Sequence, residues 1–188
     1  MTALVQPDVR YHASLLRAAE ELHAEGNGAY LSLQDHPVVT LRDPEQFARY
    51  VEELHAAMVL PPEQGWVPAT LLWIVDEGDQ VVGRVSIRHR LNEHLLQVGG
   101  HIGYAVIPSA RRRGHATAAL AQSLPIAAGL GIDPALVTCD DTNVASRRVI
   151  EKNGGVLEDV RGGKMRFWVA TAGRVAVVPP RSEQLRGE

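Results

Sequence analysis

Apolar residues recur at helical spacing over residues 11–25, where Leu15, Leu16, Ala19 and Leu22 share one face. Gly26 and Gly28 stop that run. A second stretch, 44–58, opens on Pro44 at a first-turn position and aligns Phe47, Val51, Leu54 and Met58. The loop around Pro61, Pro62, Gly65 and Pro68 ends it. The period then changes. Thr70–Asp76 is an apolar run, Glu77, Gly78 and Asp79 form a hairpin turn, and Gln80–His89 alternates on the way back. Residues 90–97 are a polar loop, and Val98–Ile107 is the next strand, ended by Pro108. Ala116–Gly129 reads as a helix that Pro125 should kink or shorten. Ala135–Asp140 is a short buried strand. Asn143–Asn153 is a helix stopped by Gly154 and Gly155. Val156–Val160 and Lys164–Thr171 make a closing hairpin.

Two helices, an antiparallel meander and a strand–helix–strand–helix–hairpin predict an α+β (mixed α/β) domain, one sheet covered by helices. The 188 residues suit a single domain over 1–172. Residues 173–188, with Pro179 and Pro180, are expected to be a flexible tail.

Composition narrows the class. A hydrophobic fraction of 45% is that of a globular chain. The single cysteine, Cys139, excludes an internal disulfide and a cysteine-based zinc site, so no metal is expected. It fits a reducing cytoplasm, the expected location. The first residues lack the order of a signal peptide, and no apolar run is long enough to span a membrane. A net charge of −3 argues against a nucleic-acid partner. The run Arg111–Arg112–Arg113 is a local exception that suits a phosphate ligand better than a polyanion.

That run carries the chemistry. A strand ends at Pro108, a turn holds the three arginines and Gly114, and a helix begins at His115. The first N–H groups of a helix have no internal partners and sit at the positive end of its dipole, so a pyrophosphate satisfies them. Gly114 lets the backbone approach closely. The spacing fits neither the G-x-G-x-x-G dinucleotide fingerprint nor a P-loop.

The hexapeptide R-x-x-G-x-A, Arg111–Ala116, resembles the [QR]-x-x-G-x-[GA] signature of the GNAT superfamily of acyl-CoA-dependent N-acyltransferases. DDTNVASRRVIEKNG, Asp140–Gly154, resembles the strand–Asn–helix–Gly segment of the same superfamily. RHRLNEHLL, GGHIGY and the two segments together look like a bacterial subgroup of predicted acetyltransferases. The resemblance covers most of residues 44–171. It implies a GNAT-like fold: one central mixed, mostly antiparallel sheet with a splayed parallel pair, flanked by about four helices. It implies acetyl-CoA as acyl donor and an N-acetyltransferase that passes the acetyl group to a primary amine by direct attack in a ternary complex. A small-molecule or peptide amine is the expected partner, with no membrane partner and a monomeric or homodimeric state. The alternative is a non-catalytic acyl-CoA sensor or interaction module of the same fold.

Roles follow residue by residue. The pyrophosphate would sit at Arg113, Gly114, His115, Ala116 and Thr117, with Arg111 adding charge. Backbone groups of Tyr104, Val106 and Ile107 would pair with pantetheine, an N–H near Val106 or Ile107 polarising the thioester carbonyl. Asn143 would cap its helix and contact pantetheine. His101 stands where some members carry a glutamate base, and an imidazole near pKa 6.5 is a workable substitute; His89 and His94 are rivals. The usual proton-donating tyrosine aligns with Ile150, which leaves Ser146, one turn earlier, or water as the source of the proton. Arg88 and Asn92, with neighbouring Arg90 and Glu93, would recognise a carboxylate or other polar group of the acceptor. Cys139 reads as a small core residue rather than a nucleophile. Trp66, Trp73 and Trp168 read as core or pocket walls.

Overall fold

The computed structural model describes residues 1–26, 36–59 and 67–172. Trp66 and the tail after Ala172 lie outside them. In chain order the elements are β1 (Ala3–Val5), α1 (His12–Ala24), α2 (Pro44–Ala56), β2 (Ala69–Val75), β3 (Val81–Arg88), β4 (Ile102–Val106), α3 (His115–Gly129), β5 (Ala135–Asp140), α4 (Val144–Lys152), β6 (Val156–Arg161) and β7 (Lys164–Val169).

The helical faces read from sequence are the buried ones. α1 buries Leu15, Ala19 and Leu22, and α2 buries Phe47, Val51 and Leu54. Asp43 caps α2 by accepting from the N–H groups of Glu45 and Gln46 at 2.9 and 3.0 Å, worth about 1 kcal/mol. Trp73 of β2 is fully buried, with Phe47 stacked at 6.3 Å and Tyr11 edge-on at 5.9 Å. In β3, Val85 and Ile87 are fully buried, while Arg84 and Arg88 keep partial exposure on the other face. Gly83 interrupts this strand because a Cβ there would stand 2.1 Å from the Ala105 carbonyl oxygen.

Three elements differ from the sequence reading. β1 was not anticipated; it is a three-residue strand that pairs with β2. α3 runs through Pro125 to Gly129. The ring removes one backbone bond, but Ala119, Leu120 and Ala127 are fully buried and hold the turns together. β4 begins at Ile102 rather than Val98, because Leu95–Gly99 forms a wide helical turn and Gly100 follows at φ +64°.

The strands form two antiparallel sheets, β1-β2-β3-β4 and β5-β7-β6. β4 and β5 meet at the seam. They share no ladder among the described residues and are joined at one end by His101. Its backbone N–H donates to the Leu136 carbonyl at 2.7 Å, and its Nδ1 accepts the Leu136 N–H at 2.9 Å. Thr138 adds a hydroxyl bond to the Val98 carbonyl at 2.9 Å. Past this tie no ladder joins the two strands among the described residues, and residues of both line two cavities there.

Candidate active site

The turn before α3 is shaped by two left-handed residues, Arg112 at φ +62° and Gly114 at φ +85°. Gly114 is the N-cap of α3, and no side chain caps the first turn. The first N–H groups of α3 therefore open onto a groove of about 980 Å³. A Cβ on Gly114 would meet nothing within 4 Å, so the backbone angle, not crowding, calls for glycine. His115, Ala116 and Thr117 line this groove, with Arg112, Arg148 and Lys152 supplying positive charge. An elongated phosphate-bearing ligand fits such a channel.

Two arginines sit differently from the sequence reading. Arg111 lies on the groove but grips Glu25 with both terminal nitrogens at 2.5 Å, and its Nε donates to the Val106 carbonyl at 3.1 Å. Its charge is already balanced. Arg113 is exposed and lies off the groove lining.

The edge of β4 faces the groove in a fixed alternation. Arg88 N–H donates to the His101 carbonyl at 2.7 Å, and Ile107 N–H donates to the Val82 carbonyl at 2.9 Å. In an antiparallel ladder every second residue bonds to one neighbour, so Ile102, Tyr104 and Val106 turn their N–H and C=O groups away from β3. Tyr104 and Val106 line the groove accordingly. The expected contribution of Ile107 fails on this geometry: its N–H is spent on β3 and its side chain is buried.

α4 closes the other wall. Asn143 caps it by accepting the Ser146 N–H at 3.0 Å, and both residues line the groove. The Ser146 hydroxyl lies 2.8 Å from the Tyr104 hydroxyl, which also reaches the Ser146 carbonyl at 3.3 Å. Burial pushes the Tyr104 phenol up to about 12, so it stays protonated at neutral pH. Sequence reading took only the backbone of Tyr104; nothing in a strand tyrosine signals a hydroxyl partner 42 positions later. Ile150, by contrast, is fully buried. Cys139 is buried beside Ser146, and desolvation raises its thiol, as suits a core residue rather than a nucleophile.

A second cavity, of about 310 Å³, adjoins the first. β3 supplies Arg84, Ser86 and Arg88 to its wall, and Lys164 faces it from β7. Four residues, Tyr104, Asp140, Asn143 and Ser146, line both spaces. Asp140 is paired with Lys164.

His101 lines neither space. Its Nδ1 lone pair holds the Leu136 N–H, so the neutral ring carries its proton on Nε2. Burial first, and the charge of Arg88 second, push the imidazole below its ordinary value. The nitrogen that a base needs is thus occupied. Asn92 is also off both linings, and its Oδ1 accepts the Leu95 N–H at 2.9 Å at the start of the wide turn. His89 bonds Thr70 at 2.9 Å and lines neither space.

A sheet split at a seam, an uncapped helix start and a free strand edge leave a groove lined by open backbone groups. The model of the acetyltransferase (GNAT) domain matches residues 15–156, and the chain belongs to that family of acyl-CoA-dependent acetyltransferases. Solved structures agree on the fold. The ribosomal-protein-S5-alanine acetyltransferase of Vibrio fischeri superposes with a TM-score of 0.60 at 14% identity, over 91% of this chain and 92% of that one. The microcin C7 self-immunity acetyltransferase, solved with acetyl-CoA and AMP, gives 0.56 at 13%, over 90% and 92%. The PaiA N-acetyltransferase of Thermoplasma acidophilum, solved with coenzyme A, gives 0.56 at 12%, over 90% and 99%. No curated protein sequence matches the chain. Among the described residues no helix is long and apolar enough to cross a membrane.

Proposed function

We propose that the protein transfers an acetyl group from acetyl-CoA to a primary amine by direct attack, with both substrates bound at once. One observation carries this reading: the large groove and the small cavity meet at the Tyr104–Ser146 pair. A donor in one and an acceptor in the other would bring their reactive ends together there.

The chain's residues divide the work. The N–H groups of His115, Ala116 and Thr117 hold the donor's pyrophosphate at the start of α3. The outward edge of Tyr104 and Val106 pairs with pantetheine, and the Val106 N–H polarises the thioester carbonyl. The amine nitrogen forms the new bond to the acyl carbon as the carbon–sulfur bond breaks. Ser146, backed by the Tyr104 phenol, gives the departing sulfur its proton and takes back the one that the attacking nitrogen sheds as the amide forms. The amine must arrive uncharged. Leaving bulk water for the cavity disfavours the charged form, which lowers the acceptor's own pKa and lets water take its proton. His101 serves as the tie between sheets, not as the base.

A second reading, a sensor that binds acyl-CoA without turnover, draws on Ile150, which is buried where the family resemblance leads one to expect a tyrosine. Titration of acetyl-CoA into wild type and Gly114→Glu, followed by thiol release with an amine panel, tests both. Donor binding lost in the variant, with thiol release in wild type, supports transfer. Binding with no release from any amine supports the sensor. No binding by wild type overturns both.

A further inference from the structure

Arg88 is a partly buried cation that has no ion pair among the described residues. It rises from the end of β3 into the small cavity and lies against Gly103, where a Cβ would stand 3.4 Å from Nη1 and 3.7 Å from Nη2. Gly99 flanks it on the other side, a Cβ there lying 3.9 Å from the guanidinium carbon. The planar group therefore packs against the backbone at both glycines. Nη1 donates to the carbonyls of Gly99 and Gly100 at 3.0 and 3.2 Å. Nη2 and Nε have no hydrogen-bond partner among the described residues, and no carboxylate there lies within ion-pair distance of the group.

The contrast with its neighbours matters. Lys164, on the same cavity, is paired with Asp140, and Arg111, on the groove, is paired with Glu25. Burial lowers the Arg88 pKa, and no carboxylate among the described residues pairs with it. Two backbone carbonyls need only a neutral donor. The free edge opens onto the cavity, and a carboxylate matches it with two parallel bonds.

We propose that the acceptor carries a carboxylate close to the amine that is acetylated, and that Arg88 binds this carboxylate. The proposal rests on the acetyltransferase reading and adds the acceptor's chemical class. Ser86 pairs with Gly103, beside the guanidinium, and Tyr104 is the next residue along β4. A carboxylate on Arg88 therefore lies within about one to three residues of strand, roughly 3–10 Å, from the transfer point at Tyr104 and Val106. That span suits an amino acid or the acidic N-terminus of a peptide.

The test measures kcat/KM by thiol release for matched pairs. One arm sets free amino acids against their own primary amides. The other sets short peptides with Asp or Glu at the first two positions against their Asn or Gln counterparts. An amide withdraws electrons from its amine, so more of the amide is uncharged at neutral pH, and intrinsic reactivity favours the neutral partner. A preference for the carboxylate member of about tenfold to a hundredfold supports the proposal, and the arm in which it occurs identifies the source. Arg88→Gln should collapse that ratio through KM, and Arg88→Lys should restore part of it, with acetyl-CoA titration confirming an intact donor groove. Efficient turnover of neutral amines at equal or greater rates overturns the carboxylate assignment and leaves the transferase standing. So does a preference that survives in Arg88→Gln. Thiol release from no amine at all, with acetyl-CoA bound, overturns both readings.

Discussion

Replacing His101 separates a structural tie from a catalytic base. In His101→Ala the Leu136 N–H loses its acceptor in a residue that is fully buried. Leaving such a donor unpaired costs about 1–3 kcal/mol, the low end applying if a water enters the space. The backbone bond from residue 101 to the Leu136 carbonyl does not depend on the side chain and should survive. For a domain of this size each kcal/mol moves the melting point by about 2–4 °C, so a fall of about 2–12 °C is expected. His101→Gln can offer a side-chain carbonyl to the same N–H and should recover part of the loss. Thermal unfolding and acetyl-transfer kinetics at 25 °C, run on the same preparations, decide the matter. A tie predicts lower stability with kcat changed by less than about tenfold. A general base predicts a loss of roughly 10²–10⁴ in kcat. An unchanged melting point together with a hundredfold fall in kcat and a lost acidic limb would refute the tie.

The pair at the meeting point of the two cavities should behave as one unit. Ser146→Ala and Tyr104→Phe should each lower kcat by at least about tenfold, and the double variant should be little worse than Ser146→Ala, as measured by thiol release. Because burial lifts the Tyr104 phenol to about 12, no alkaline limb from it should appear below about pH 11 in a rate profile. The imidazole of His101 shifts downward, so below about pH 6.5 the unfolded chain binds a proton that the folded chain refuses. The stability that depends on a neutral ring is complete above that pH and drains away as pH falls through the lowered folded value. Urea titrations from pH 7.5 to 5 should show a shallower acid loss in His101→Gln than in wild type. Gly114→Glu places a carboxylate at the mouth of α3 and forces a side chain to adopt φ +85°. Acetyl-CoA affinity, read by titration, should fall at least about tenfold, with a stability loss of about 1–2 kcal/mol from the backbone.

Much of the fold was written in periodicity. Leu15, Ala19 and Leu22, and Phe47, Val51 and Leu54, mark helical faces because every third or fourth residue must meet the same core. Three residues of β1 are too few to display a period. Pro125 misleads because a local rule removes one bond whereas the buried face of α3 supplies many contacts. The uncapped start of α3 was legible because the strand end, Gly114 and the helix-forming run follow one another in sequence. The partition of charge was not: Glu25 lies far from Arg111 along the chain, and only folding brings them together. The same holds for Tyr104 and Ser146. Ile107 was misjudged for a different reason. Sequence identifies the strand but not which alternate residues spend their N–H groups on β3.

His101 shows how this seam makes a site. Two strands in a continuous ladder would spend every edge N–H on each other and leave none for a ligand. A tie at one end, made by backbone and imidazole together, stops the ladder at Leu136 and frees the edge from Tyr104 to Val106. Gly100 is part of the same device. A Cβ there would lie 2.5 Å from the Leu136 carbonyl oxygen, so only glycine lets the chain pass this close before the strands diverge. The opening then needs a wall, and α4 provides it, with Asn143 holding Ser146 at its first turn. On the proposed mechanism, the phenol that reaches this serine from β4 removes the need for a proton donor one turn further along the helix. The position at Ile150 is then left to the core, where Gly155 lacks the Cβ that would otherwise press within 2.4 Å of the isoleucine side chain.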